Sequence, residues 1–513
     1  MDKISINRQI EPSWDTYSIT VISVFVFLGI LQWSFFPRFI DIYYHLSVML
    51  GLDQSGGFFT KEFLEYAPVG RPHIYPPLLH IFMLLLYKLG LSKIFIARLL
   101  GLAIYPLTLT VIWQVLRNVF SPRLAFFAIL SCASAYSFYL AVGNLLPFSA
   151  ALVLALLVFL CIEKNKAFAA GLLLGLTFYT HALMSWMALL CILLYGTFNY
   201  MKRRQSFKAC LFAVITALPM LLYQYYSRMY FKLAPPNPNT ILEINVFVYL
   251  LSIAGIAAAF RKKGSSYFFI CLIVAMLALA FTHKTRYLSG HGLIGFALAS
   301  GLAIDNLYQR IVLRRFELKK LLVFMLALLF ALLVFNPTLY IDKSRREIFI
   351  RLFNPPLVNL MPKYKQYVYL NDISIYHRQF MDDIVRVIER NTAKDDIIYS
   401  NLNYQAGLLS VLSERATSQA MMPEVRPYRD FDPVGAAKVI IWFKDPDGAF
   451  PQQLSGLVPR YKLAKLEETD LAYIYANPSA SAKSKVSRNI LPTSALFFIL
   501  LFIAGLVIYA LKR

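Results

Sequence analysis

The sequence predicts a polytopic α-helical membrane protein with one small extracytoplasmic α/β domain. Three observations predict it. Of 513 residues, 58% are hydrophobic and only 15% charged, a balance outside that of soluble globular chains. Apolar runs of spanning length recur from Tyr17 to Tyr340 and again near the C-terminus, about 20 residues being enough to cross the hydrocarbon. The basic residues behind a formal charge of +23 stand in short clusters between those runs, the pattern of topology signals and anionic-lipid contacts rather than of nucleic-acid binding.

The first run, 17–36, lacks a small-residue cleavage site and is long enough to span, so it reads as a helix and not as a signal peptide. Runs follow at 94–117, 122–141, 145–162, 167–180, 182–199, 207–226, 243–260, 267–281, 288–308, 319–340 and 491–510, about 12 spans in all. A further run, 78–91, has only 14 residues. The basic clusters arbitrate: Lys3 and Arg8, Arg117 and Arg123, Lys164 and Lys166, "KRRQSFK" from Lys202, "RKK" from Arg261, "RIVLRRFELKK" from Arg310, and Lys512 with Arg513 share one face only if 78–91 does not cross. Residues 78–91 therefore read as an interfacial or re-entrant helix in a first external loop, 37–93, with both termini cytoplasmic. A transmembrane domain over 1–340, an extracytoplasmic α/β domain over 341–490 and a C-terminal transmembrane helix over 491–513 follow. All five cysteines lie within or at the edge of apolar segments, and none has disulfide or metal-site spacing.

In the soluble segment, "MDDIVRVIERNT" and "GLLSVLSER" have helical character, "DDIIYS" and "AAKVIIWF" read as strands, and "YKLAKLEETDLAYIYA" as a closing hairpin. It shows no Gly-rich phosphate loop and no Ser-His-Asp set, which suits a packing or acceptor-positioning role.

Chemistry is expected on the external face. In "DIYYHL", Asp41 and His45 stand at i and i+4 on one helical face. Asp41 is either a functional acid at the membrane mouth or a helix cap. The prolines of "PVGRPHIYPP" stiffen a loop that holds Arg71 and His73 outward, as a substrate site or as a connector in contact with lipid phosphate. His181 in "YTHAL" and the cluster His283, Lys284 and Arg286 in "THKTRYLSGH" lie on the same side. A basic cluster is unexpected in an external loop. Arg286 suits bidentate phosphate binding with Lys284 beside it, snorkelling to headgroups being the other reading.

A first span followed at once by an Asp-containing "DIYYH" helix, then a long loop with an interfacial helix opening on "YPP", resembles the C-type polyprenyl-phosphate-dependent glycosyltransferases, nearest the relatives of the oligosaccharyltransferase catalytic subunit. The resemblance covers 1–340 and is motif-specific only across about 37–80. It implies transfer of a sugar or glycan from a polyprenyl-phosphate-linked donor to a protein, lipid or polysaccharide acceptor, with no nucleic-acid partner. Asp41 would be the catalytic acid, and Arg286 the residue that holds the donor phosphate. His45, Arg71, His73, His181, His283 and Lys284 join it as substrate-binding candidates. The family's divalent cation (Mg or Mn) is implied less firmly. A second acidic site is missing where "VGNLLP" offers only Asn144, and no "WWDYG" signature is present. Glu62 and Glu65 are stand-ins for that acid. The alternative function is a transporter or flippase of a polyprenyl-linked or anionic lipid, a class that more often shows internal repeats. A catalytically inert scaffold of the same fold is a third reading.

Overall fold

The apolar runs become helices. The computed structural model describes residues 13–33, 41–144, 146–228, 232–233, 241–282, 284–313, 318–333, 335–342, 347–353, 378–419, 421, 425–427, 430–444 and 452–512. Its membrane part comprises α1 (Trp14–Leu31), α2 (Asp41–Gln54), α3 (Leu78–Lys88), α4 (Lys93–Val119), α5 (Pro122–Ser134), α6 (Tyr136–Asn144), α7 (Leu146–Glu163), α8 (Ala167–Phe178), α9 (Ala182–Phe198) and α10 (Arg203–Arg228). It continues through α11 (Val246–Lys262), α12 (Tyr267–Met276), α13 (Ala278–Thr282), α14 (Lys284–Leu288), α15 (Leu293–Leu313) and α16 (Leu318–Leu333), and a last apolar helix covers Thr493–Lys512. Local chemistry sets the starts. Ser92, Ser121 and Asn245 cap α4, α5 and α11 by accepting from backbone N–H groups of the first turn, with Pro122 following Ser121 at a position that needs no N–H.

Seven helices among the described residues are long and apolar enough to cross a membrane, or eight if α5 and α6, bent by 86° about Ala135, form one span. The twelve spans expected from hydropathy are reached only by counting shorter helices such as α8. Its 12 residues extend ~18 Å, against a hydrocarbon core of ~30 Å. Residues 78–88 form a short apolar helix packed on α2.

Polar contacts tie the helix ends that carry the basic clusters to one another. Arg117 pairs with Asp15 at 3.0 Å, and Lys164 donates to Asn118 at 3.4 Å. Lys202 donates to the Glu163 carbonyl at 2.6 Å, and Ser265 to the Glu163 carboxylate at 2.8 Å. Arg123 donates to the buried Asp305 at 2.6 Å, with Lys262 at 3.8 Å. These pairs gather the basic loops at one end of the bundle. Lys3 and Arg8 lie outside the described residues. Glycine permits the closest helix crossings: a Cβ at Gly255 of α11 would stand 1.8 Å from the Ala299 carbonyl oxygen of α15, the small-residue contact typical of membrane helices.

Strands β1 (Gly57–Phe59), β2 (Lys61–Glu62) and β3 (Arg71–Pro72) belong to the first loop, β2 and β3 pairing antiparallel. After β4 (Lys232–Leu233) comes an antiparallel three-stranded sheet of β5 (Ile241–Asn245), β6 (Thr338–Asp342) and β7 (Glu347–Arg351), so that β6 straddles the expected boundary at residue 340. The soluble segment is built on β8 (Ile397–Ser400), β9 (Ala416–Thr417), β11 (Val439–Phe443), β12 (Ala464–Glu468) and β13 (Ala472–Ala476), with β10 (Val425–Arg426) pairing with β4 outside that sheet. The order is β12-β13-β11-β8-β9, with β8 parallel to both neighbours and β12–β13 the expected hairpin. Every residue of β11 is buried, as a strand covered on both faces requires. Helices cover 378–391 and 403–413 as the periodicity predicts.

The first loop runs between bundle and soluble segment and binds both. β1 pairs with β14 (Asn489–Pro492). Ala67 N donates to Thr417 O at 3.0 Å, and Thr417 N to Leu64 O at 2.9 Å. Lys93, at the start of α4, donates to Val411 O and Glu414 Oε1, each at 2.8 Å.

Candidate functional site

α2 is buried from Ile42 to Leu52, whereas its first residue, Asp41, is exposed. A carboxylate in a helix's first turn is favoured by the backbone N–H groups and dipole there, so the position suits both readings of Asp41. Three and four residues on, Tyr44 and His45 lie on the face that Asp41 begins.

His45 Nδ1 stands 3.0 Å from His80 Nε2, on α3. Burial, with the nearby His181, pushes His45 down to about 3, and burial together with His45 and His73 holds His80 well below the usual imidazole range. Both rings are neutral at pH 7, and one N–H donates to the other ring's lone pair. The Tyr75 ring centroid lies 5.2 Å from His45, 5.8 Å from His80 and 6.3 Å from His181. His181 caps α9 by accepting from Met184 N at 3.2 Å through Nδ1, which in the neutral ring leaves the proton on Nε2. The Phe148 ring then connects His181, at 5.0 Å, to His291, at 3.8 Å. His291 Nε2 meets Ser149 Oγ at 3.1 Å. Arg286, half-buried on α14, acts electrostatically on His291. Four histidines and one arginine from four separated stretches thus meet at the end of the bundle away from the basic clusters.

Arg71 and His73 are not presented outward as the proline-rich loop suggested. Both are buried and paired. Arg71 Nε donates to Glu65 Oε1 at 2.5 Å, Nη2 to Tyr44 Oη at 3.1 Å and Nη1 to Pro72 O at 3.0 Å. Burial works against its charge, but the Glu65 carboxylate, with Tyr44 and Glu62 behind it, outweighs burial and holds the guanidinium above its usual value. His73 Nδ1 meets Glu62 Oε1 at 2.5 Å, and its carbonyl accepts from the Tyr223 hydroxyl. The physical reason is the antiparallel β2–β3 ribbon, which sets Glu62 opposite Arg71. Proline stiffened the loop toward the interior.

Glu62 and Glu65 are therefore committed, Glu65 Oε2 also accepting from Met421 N at 2.8 Å, and neither stands in for the missing second acid. Among the described residues, no three His, Cys, Asp or Glu side chains converge as ligands of an ion. The described residues do not fit the divalent cation that the resemblance implies. His283 lies outside the described residues. Lys284 opens α14, and nothing is described of its side chain.

The charge pattern puts His80 and His291 on the expected external side but singles out neither as a site residue. The available signal was a histidine in or just before the first turn of an apolar helix, as at His181. Beside the buried pairs lies a cleft of about 690 Å³, bounded by Lys61, Gly70, Arg71, Tyr223, Tyr226 and Pro427, within the size range of small-ligand sites.

No protein-family model matches the chain, and no curated protein matches it in sequence. Solved structures do match. The apo oligosaccharyltransferase of Archaeoglobus fulgidus is 10% identical with a TM-score of 0.60, over 85% of this chain and 70% of that one. The same organism's AglB, in complex with an inhibitory peptide and a dolichol-phosphate, gives 10% and 0.56 over 83% and 69%. ArnT from Cupriavidus metallidurans, bound to undecaprenyl phosphate, is 13% identical with a TM-score of 0.52, over 92% of this chain and 99% of that one. At such identities the likeness carries the fold alone, the one these three structures share.

Proposed function

We propose that this protein is an integral-membrane glycosyltransferase that moves a sugar or glycan from a polyprenyl-phosphate-linked donor to an extracytoplasmic acceptor. The observation that carries the reading is the convergence of Asp41's helix, the histidine cluster and Arg286 at one end of a bundle with this fold. In the reaction, Asp41 takes the proton of the attacking acceptor group or orients that group, a new bond forms to the anomeric carbon, and the bond from that carbon to the phosphate oxygen breaks. The leaving phosphate keeps the bonding electron pair, and Arg286 and Lys284 stabilise the charge it develops. His45 and His181, neutral, hydrogen-bond to phosphate or sugar oxygens without adding charge. Arg71 and His73 act at one remove: Arg71 holds Tyr44, the neighbour of His45, and His73 anchors the wall of the 690 Å³ cleft through Tyr223. That cleft is the approach for the acceptor.

On this reading the basic end faces the cytoplasm, both termini lie there, and the site and the soluble segment face outward. All twelve apolar segments belong to the membrane, the shorter ones shielded by their neighbours. Purified protein supplied with a polyprenyl-phosphate sugar and cell-envelope acceptors releases the lipid phosphate, and Asp41→Asn abolishes release while the fold is retained. Full activity in Asp41→Asn removes Asp41 from the mechanism. Cysteines placed at Arg117 and Arg286 and labelled from outside report opposite sides; labelling of both from one side overturns the placement.

A further inference from the structure

The β5–β6–β7 sheet has its faces reversed. Strand alternation and register put Leu242, Ile244, Leu339, Ile341, Ile348 and Ile350 on one face. The antiparallel pairing sets Ile244 opposite Leu339 and Ile350, and Leu242 opposite Ile341 and Ile348, so six aliphatic side chains share that face. The other face carries Glu243, Asn245, Thr338 and Tyr340 and, on the edge strand β7, which is exposed on both faces, Glu347, Phe349 and Arg351. In a water-facing sheet the aliphatic face is the covered one. Here Asn245, Thr338 and Tyr340 are buried, none of the six aliphatic residues is, and Ile348 and Ile350 on β7 are 70% and 58% exposed.

The sheet is also continuous with apolar helices. β5 runs directly into α11, whose first residue, Val246, donates its N–H to Pro337 O at 3.0 Å just before β6, and α16 precedes that strand by a few residues. A sheet set at the mouth of two apolar helices, with aliphatic residues outside and polar ones inside, matches a hydrocarbon boundary and not water. From this we infer that the β5–β6–β7 sheet is seated in the bilayer interface, its aliphatic face against lipid acyl chains. The inference rests on the membrane placement of the bundle and not on glycosyl transfer. Because α14 packs on β5 and Tyr249 Oη donates to Leu288 O at 2.5 Å, seating the sheet also sets the depth of Arg286, at the level where the phosphate of a lipid carrier lies.

The test uses the full chain in lipid nanodiscs, with an environment-sensitive fluorophore at Ile348→Cys and, separately, Ile350→Cys; the five native cysteines are buried. A label at Lys465→Cys on β12, half-exposed, is the aqueous reference. Seating predicts blue-shifted emission at both positions, quenching by doxyl-labelled lipid, and iodide quenching severalfold below the reference. Iodide quenching equal to the reference overturns the inference, because the face then meets water. Protection from both quenchers also overturns it, because protein then covers the face, whether residues 354–377 or a second copy. If one substitution prevents folding, the other decides alone, and no outcome depends on enzymatic activity.

Discussion

Replacing Glu65 with alanine isolates the cost of breaking the buried Glu65–Arg71 pair of the first loop, whose carboxylate also holds the soluble segment at Met421 N. Arg71 and Glu65 are each 1% exposed. In Glu65→Ala the guanidinium keeps only neutral partners, Tyr44 Oη and Pro72 O, and Met421 N loses its acceptor. Removing one member of a buried ion pair costs about 3–5 kcal/mol, because the other charge stays desolvated. At 1.4 kcal/mol per tenfold, that is roughly two to four orders of magnitude in the local opening equilibrium. Hydrogen exchange reads it directly: amides in 60–73 and 416–421 should lose protection together, while the core of the bundle keeps its own. Adding Arg71→Met removes the stranded charge, and the double variant should recover most of the loss, since apolar replacement of a whole buried pair is often close to neutral. A single variant with unchanged protection, or a double variant no better than the single, refutes the reasoning.

Three further outcomes follow from the same geometry. Gly255→Ala drives a Cβ to 1.8 Å from the Ala299 carbonyl oxygen and should cost about 1–3 kcal/mol by overpacking, read as a lower thermal midpoint in detergent. His45, pushed down to about 3 by burial and by His181, contributes stability that is present above its unfolded value of 6.5 and lost as pH falls toward 3; His45→Asn should flatten that acid limb. Glu243, pushed up to about 7 by burial against the opposing pull of Arg351 and Tyr340, acts in the other direction. Its contribution is full below 4.5 and lost as pH rises through 7, so Glu243→Gln should remove the pH dependence of sheet protection across that window.

How much of this was legible depended on whether the signal was local. "AAKVIIWF" and "MDDIVRVIERNT" became a strand and a helix because periodicity and β-branched content act over a few residues. The gathering of basic loops at one end could be read from charge alone, and the pairs Arg117–Asp15 and Arg123–Asp305 bear it out. What failed was the direction of side chains in "PVGRPH". Prolines fix φ, but which way the ribbon turns was set by Glu62 and Glu65, several residues earlier, closing on His73 and Arg71. His80 and His291 were hidden for a similar reason: His45 meets His80 across 35 residues, and Ser149 meets His291 across 142, separations over which a single sequence carries no pairing signal.

The same misdirection explains why the site needs both its buried pairs and its neutral histidines. On the proposed function, a phosphate-bearing lipid has to be drawn to one place along a face close to Arg71 and His73. Were those two exposed, they would compete with Arg286 for the phosphate. Pairing Arg71 with Glu65 in the interior cancels its charge as seen from outside, and His73 is held inside by Glu62. Neutral His45 and His80 then present hydrogen-bonding atoms without a field of their own. Arg286, half-buried beside His291, then meets no competing charge from Arg71.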